Sequence, residues 1–227
     1  MKFYGKGLPK VKLEDLTGKL IVIEGADGSG RSTQIRSLTD WLEGKGHAVV
    51  NVGIKRSNLV SAELDQAMQG NILSPITLSL FYATDFADQL ENRIIPALKA
   101  GFIVLSDRYI YTLMTRDIIR GANREWLEKL YNHIALVPDA VFYLDVSPRF
   151  LIERNFKKKS GLDYWESGMD IRLSLDIFDS FIKYQRKVKI EFRRMQEKYQ
   201  FDVINGNRSP RAIAIDLQKK IERILPS

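Results

Sequence analysis

Residues 19–33 read KLIVIEGADGSGRST. The opening KLIVIE is short, apolar and rich in β-branched residues, which predicts a strand, and residues 31–42 carry apolar side chains at helical spacing. Strand, glycine loop, helix is the natural parse. The loop Gly25, Ala26, Asp27, Gly28, Ser29, Gly30, Arg31, Ser32, Thr33 fits the pattern G-x-x-x-x-G-K-[ST], with arginine in the lysine position. Glycines let the backbone turn through positive φ, so consecutive N–H groups converge on phosphate oxygens while the following helix points its positive end there. Ser32 is then placed to put its hydroxyl on Mg²⁺. Arg31 carries the charge expected at this position, but its guanidinium is planar and bulkier than an ammonium.

Working outward, residues 48–52 (AVVNV), 102–106 (FIVLS), 139–146 (DAVFYLDV) and 201–204 (FDVI) read as four more strands. Helices are expected over residues 61–68, 75–100 with a kink or break before Pro96, 124–134, 148–156, 171–199 and 210–225, the last capped by Ser209. Residues 157–168 are charged and glycine-punctuated and read as a loop. Strands apolar on both faces and alternating with helices predict an α/β fold with a five-stranded parallel sheet between two helical layers. No repeat or linker divides the 227 residues, so one domain is expected, with residues 1–18 as a polar N-terminal extension.

Composition narrows the chemistry. There is no cysteine, which excludes disulfides, thiolate metal sites and a cysteine nucleophile, and the two histidines, His47 and His133, are too far apart for a local metal motif. No stretch approaches the roughly 20 apolar residues of a membrane span, and residues 1–19 lack the apolar centre of a secretory signal; a cytoplasmic protein without membrane partners is expected. The net charge of +7 invites a nucleic-acid partner. Its distribution argues against one, because the basic residues lie on mixed-sign stretches without an aromatic platform. A polyphosphate ligand draws on the same charge.

Asp107-Arg108-Tyr109 follows the third strand, at the carboxyl end of the sheet where open α/β proteins bind ligands. An aspartate there can hold magnesium, and the arginine beside it can grip a phosphate. In isolation the same tripeptide can be a cap and a surface charge. With these residues in place, the chain from about residue 19 to its end resembles the thymidylate kinase family of nucleoside monophosphate kinases. LIVIEGADGSGRST is similar to that family's opening strand and loop, LFYATDFADQLENRIIPAL to its substrate-binding helix, LSDRYIYT to its third strand end, PDAVFYLDVSP to its fourth strand, and FDVINGNRSP to the segment near the adenine.

The resemblance implies a P-loop nucleotide kinase fold, three-layer α/β/α, moving the γ-phosphate of ATP onto a nucleoside monophosphate with Mg²⁺, in a homodimer. It implies that Phe81 stacks on the acceptor base, that Asp27 lies near the acceptor sugar or phosphate, and that Arg108 binds that phosphate. Asp107 and Ser32 serve the metal. Arg31, Asp107 and Arg108 are the expected catalytic residues. Residues 157–168 fall where the family has its lid, so Arg154, Lys157, Lys158 and Lys159 are candidates for charge near the phosphates, Arg154 on the ATP side. Trp165 takes the place of an aromatic near the substrate, or anchors a hinge.

Departures gather on the acceptor side. Asp85 stands where the family carries an arginine four residues after the stacking aromatic, and a carboxylate accepts hydrogen bonds where a guanidinium donates them. The loop after the second strand reads GIKRSN, in which Arg56 is placed to replace a lost phosphate contact; Thr112 and Asp117 stand for a serine and a glutamine. The expected reaction is dTMP to dTDP. The alternatives are a kinase for another acceptor, such as an amino-bearing pyrimidine monophosphate, a nucleoside or a small metabolite, and a nucleotide-binding protein whose catalysis is weakened or lost.

Overall fold

The computed structural model describes residues 1–70, 73–159 and 161–225. Five strands, β1 (Lys19–Gly25), β2 (Val49–Gly53), β3 (Ile103–Asp107), β4 (Ala140–Asp145) and β5 (Asp202–Asn205), form one parallel sheet in the order β2-β3-β1-β4-β5. Among the described residues nine α-helices connect and cover them: α1 (Arg31–Gly44), α2 (Ser61–Gly70), α3 (Pro75–Gln89), α4 (Ile95–Lys99), α5 (Ile110–Ile119), α6 (Arg124–Asn132), α7 (Pro148–Lys159), α8 (Ile177–Tyr199) and α9 (Pro210–Glu222). The alternation within β1 makes the three layers. Leu20 and Val22 face a core built with Phe86, Tyr111, Tyr131 and Phe192, whereas Ile21 and Ile23 face a second core built with Leu38, Leu42, Leu217 and Ile221. The chain winds from β1 out to β2, back to β3, and then to β4 on the other side. That reversal beside β1 opens the crevice where a doubly wound sheet binds ligands.

Three segments depart from the sequence expectation, while the break expected before Pro96 is present. The 75–100 stretch is α3 and α4 joined by a π turn, Leu90–Ile94, just before Pro96, whose ring cannot continue the regular ladder. Helix α5 is unmarked in the sequence because residues Ile110 to Thr115 are all buried, leaving no polar stripe. Helix α7 reaches Lys159, so the expected loop at 157–168 starts as helix; Ser160 lies outside the described residues, as do the side chains of Lys158 and Lys159. Helix α8 begins at Ile177, not residue 171, because the Asp176 carboxylate accepts from Asp179 N at 2.8 Å and caps it there. No helix among the described residues is long and apolar enough to cross a membrane.

The extension at 1–18 packs against the α6–β4 connection. Tyr4 N donates to Ala135 O at 2.9 Å, Gly7 N to His133 O at 2.8 Å, and Val137 N to Lys2 O at 2.7 Å. The Tyr4 hydroxyl meets that of Tyr111 at 2.6 Å, and its ring stands edge-on to Tyr199 at 5.2 Å. Tyr111 in turn packs on Phe201 at 4.6 Å, so the extension closes an aromatic cluster that backs the sheet. Tyr4→Ala is expected to cost about 2 kcal/mol in urea-induced unfolding, combining a lost hydrogen bond and lost ring packing; an unchanged midpoint would show the extension to be ornamental.

Candidate active site

The loop between β1 and α1 takes positive φ at Gly28 (80°) and at Gly30 (97°), where Gly30 is the N-cap of α1. Arg31, the first residue of α1, turns back into the loop and is buried. Its Nε donates to Asp107 Oδ1 at 2.7 Å, Nη1 donates to the carbonyls of Ala26 (2.5 Å) and Gly25, and Nη2 reaches Asp27 Oδ1 at 3.3 Å. One planar guanidinium thus ties the loop to the end of β3, a span that a lysine ammonium does not cover. Ser32 Oγ donates to the other Asp107 oxygen at 3.4 Å, and the Arg56 guanidinium lies 3.7 Å from the same atom.

Asp27 is the centre of the site. Its carboxylate pairs with Arg31, with Arg108, and with Arg116 at 2.7 Å. Arg108 reaches it from a backbone held at φ 73°, in the left-handed region that a non-glycine residue rarely takes. Burial, and then Arg116 beside it, pull its pKa down to about 9, which leaves it cationic at neutral pH, and its Nε is buried without a partner. What fixes that turn is Glu24, fully buried in β1. Glu24 accepts from Tyr109 N at 2.9 Å, Thr112 N at 3.3 Å and Thr112 Oγ at 2.5 Å, and burial pushes its pKa up to about 7 against those hydrogen bonds.

Two clefts meet at Asp27. One, about 350 Å³, is lined by the loop from Gly28 to Thr33 together with Arg154, Asn155, Arg208 and Pro210. Arg154 bridges its walls, donating to Ser29 O at 3.1 Å and Gly206 O at 2.8 Å. The other, about 230 Å³, is lined by Arg108, Arg116, Tyr82, Leu78, Asp117 and Trp165 among others. The Arg120 guanidinium lies 5.8 Å from the Trp165 ring and donates to the Trp165 carbonyl at 3.1 Å, so this aromatic is anchored at the cleft wall.

The structure therefore brings Asp27, Arg31, Ser32, Asp107, Arg108, Arg56, Arg154 and Trp165 to one region, and it places two expected residues elsewhere. Phe81 is half-buried against the main core, and its neighbour Tyr82 lines the smaller cleft instead, with its hydroxyl 3.1 Å from Met68 Sδ. Asp85 is buried beneath the β2–α2 connection, where its oxygens accept from Lys55 N and Ser57 N, both at 2.9 Å, and from Gln89 Nε2 at 3.0 Å. Those donors use the carboxylate as a loop anchor, not as a cleft group. Asp117 does line the cleft, together with Asp27, Asp163 and Glu166; it accepts from Ser79 Oγ at 2.6 Å, and burial pushes its pKa up to about 6. Lys157 is exposed on α7 and lines neither cleft. Tyr82, Arg116 and Asn155 carry no sequence signal that separates them from their helical neighbours. Glu24 does carry one, as a lone acid at the end of an apolar strand.

A parallel α/β sheet with a glycine loop at the end of its first strand and two clefts meeting over that loop defines a P-loop phosphotransferase architecture. Comparison with known families matches residues 23–216 to thymidylate kinase. The chain is 38% identical over 205 residues to "Probable thymidylate kinase 2" of Saccharolobus solfataricus, covering 90% of this chain and 95% of that protein. It is 30% identical over 215 residues to "Probable thymidylate kinase" of Thermococcus onnurineus and 29% identical over 215 residues to "Probable thymidylate kinase" of Thermococcus kodakarensis, in each case covering 90% of this chain and 98% of the relative. The chain belongs to the thymidylate kinase family and is a nucleoside monophosphate kinase.

Glu24 gives the site a titration. Its folded pKa lies above its ordinary value of 4.5, so the stability it lends is present below about pH 4.5 and is lost as pH rises through about 7. Relative to Glu24→Gln, which does not titrate, the protein is expected to lose on the order of 3 kcal/mol between pH 4.5 and 8 in denaturant unfolding. A difference that stays flat over that range would contradict this.

Proposed function

We propose that the chain transfers the γ-phosphoryl group of ATP to dTMP, giving ADP and dTDP, as a cytoplasmic homodimer in which residues 1–227 form one kinase domain. The single observation that carries the reading is the meeting of two clefts at Asp27, one walled by the glycine loop and the other by arginines. The names of the relatives supply dTMP as the acceptor. Paired arginines in the smaller cleft favour an anionic acceptor over a neutral hydroxyl compound. For the homodimer, the support is an apolar face on α3, where Ile76 and Leu80 are exposed one helical turn apart.

In this reading the amides of Gly25 to Thr33 hold the donor phosphates, with Arg154 beside them. Ser32 and Asp107 are hard oxygen donors close together, and no acidic cage of three or more ligands lies among the described residues; that set suits Mg²⁺, which keeps waters and phosphate oxygens as its other ligands. The ion's contribution is to neutralise charge on the phosphates. Arg108 and Arg116 orient the acceptor phosphate, whose oxygen attacks the γ-phosphorus as the bond to the β-bridging oxygen breaks and ADP leaves. No protein nucleophile is needed, because alignment and charge stabilisation supply the catalysis. Arg31 adds positive charge beside the loop. The base-contacting roles expected of Phe81 and Asp85 pass to Tyr82 and Asp117, and residues 157–168, with Trp165 on the cleft wall, form the closing lid.

A coupled assay with ATP, Mg²⁺ and separately dTMP, dUMP, dCMP, CMP or AMP is expected to show dTMP preferred, with turnover of about 1 to 100 per second. Transfer to none of them would contradict the reading. Arg116→Ala is expected to raise the KM for the monophosphate about tenfold or more while leaving the KM for ATP near its starting value; equal changes in both would remove Arg116 from the acceptor side. Arg31→Lys is expected to lower kcat about tenfold, because an ammonium cannot hold Asp107 and the loop carbonyls together. A rise in kcat would mark the arginine as a defect.

A further inference from the structure

Asn155, on α7, is buried at 2% exposure, and its Nδ2 has no hydrogen-bond partner. Buried side-chain donors in folded proteins are nearly always paired, so an orphan beside a ligand cleft calls for a partner that arrives with the ligand. The surroundings say which. Asn155 lines the larger cleft, and its carboxamide packs against Gly28 of the glycine loop. A Cβ at position 28 would come within 2.9 Å of Asn155 Oδ1 and 3.1 Å of Nδ2, so the glycine that frees the loop also admits this amide. The preceding residue, Arg154, is tied to Ser29 O at 3.1 Å, which holds this part of α7 against the loop.

The larger cleft is lined by Arg208 and Pro210 as well as by Asp27 and Gly28, and Asp27 also lines the acceptor cleft. A phosphoryl group in transit between the two must pass where they adjoin, at Asp27 and the neighbouring Gly28. That is where the Asn155 amide sits.

We propose that Asn155 is a further catalytic residue of this kinase, its side-chain amide donating a hydrogen bond to the terminal phosphoryl group of the triphosphate donor. The inference rests on the assignment of the larger cleft to ATP. The contact is neutral, so it stabilises the migrating group without adding to the charge already supplied by Arg31 and Arg108, and it exists for a triphosphate but not for the diphosphate product. Asn155 therefore separates ATP from ADP. In the unliganded protein the orphaned amide opposes stability, so an apolar side chain of the same size is tolerated there as well or better.

The test is calorimetry with Mg²⁺ on the full chain, using a non-hydrolysable imido analogue of ATP and, separately, ADP, alongside thermal unfolding without nucleotide. For Asn155→Leu, affinity for the analogue is expected to fall about tenfold, the worth of one hydrogen bond to a charged group, with ADP affinity within about twofold of the starting protein and an unliganded Tm equal or higher. Asn155→Ala is expected to show the same change in the analogue-to-ADP ratio, whatever its effect on Tm. Equal losses for the two nucleotides, or no loss for either, would overturn the proposal. Failure of the unsubstituted protein to bind either nucleotide would instead overturn the donor-site assignment on which it rests.

Discussion

One carboxylate, that of Asp27, receives three guanidiniums, and the geometry of both clefts follows from that contact. Arg31 comes from α1, Arg108 from the turn after β3 and Arg116 from α5. Each would repel the others if the anion were removed, and each lines one of the two clefts. The cluster carries three cations against Asp27, with Asp107 pairing Arg31 from the far side, so it stays electropositive where the two clefts meet while remaining paired enough to be buried. A charged centre of this kind is built for binding more than for stability, since burying it is costly unless every member is paired.

Around it the protein spends conformational strain. Arg108 adopts a left-handed backbone, and the cost is met by Glu24, which collects two amides and a hydroxyl from the turn. Glu24 is itself buried with a raised pKa, so the turn is held by a group that would sooner be neutral. The replacement of the usual loop lysine by Arg31 belongs to the same economy of positions. The longer, forked side chain reaches Asp107 and two loop carbonyls at once, joining the first and third strands' ends in a way that suits a loop already open enough to seat Asn155 over Gly28.

The sequence makes the scaffold legible where local chemistry is unambiguous. The five strands, the glycine loop, the Ser209 cap and the break before Pro96 all follow from side-chain type and spacing. Strand order does not, because parallel strands that are apolar on both faces carry no pairing code. Helix α5 escapes because burial on nearly all sides removes its stripe. Within the site, Asp27, Arg31, Asp107 and Arg108 are visible because they lie on a loop and a strand end that fix their direction. Phe81 and Asp85 are displaced from the cleft because one residue on a helix is about 100° of rotation, and motif resemblance alone does not set that angle to within a residue. Tyr82 and Asp117 take the wall positions instead.

The central claim is that two nucleotide clefts converge on Asp27 closely enough for a phosphoryl group to pass between them. The most direct measurement is the affinity of a single ligand in which adenosine and thymidine are joined through a chain of phosphates, compared with ADP and dTMP alone. One molecule is expected to bind per chain, at least 100-fold tighter than either mononucleotide, because the second cleft then fills intramolecularly. Binding no tighter than the better of the two, or two molecules per chain, would mean that the clefts do not form one site.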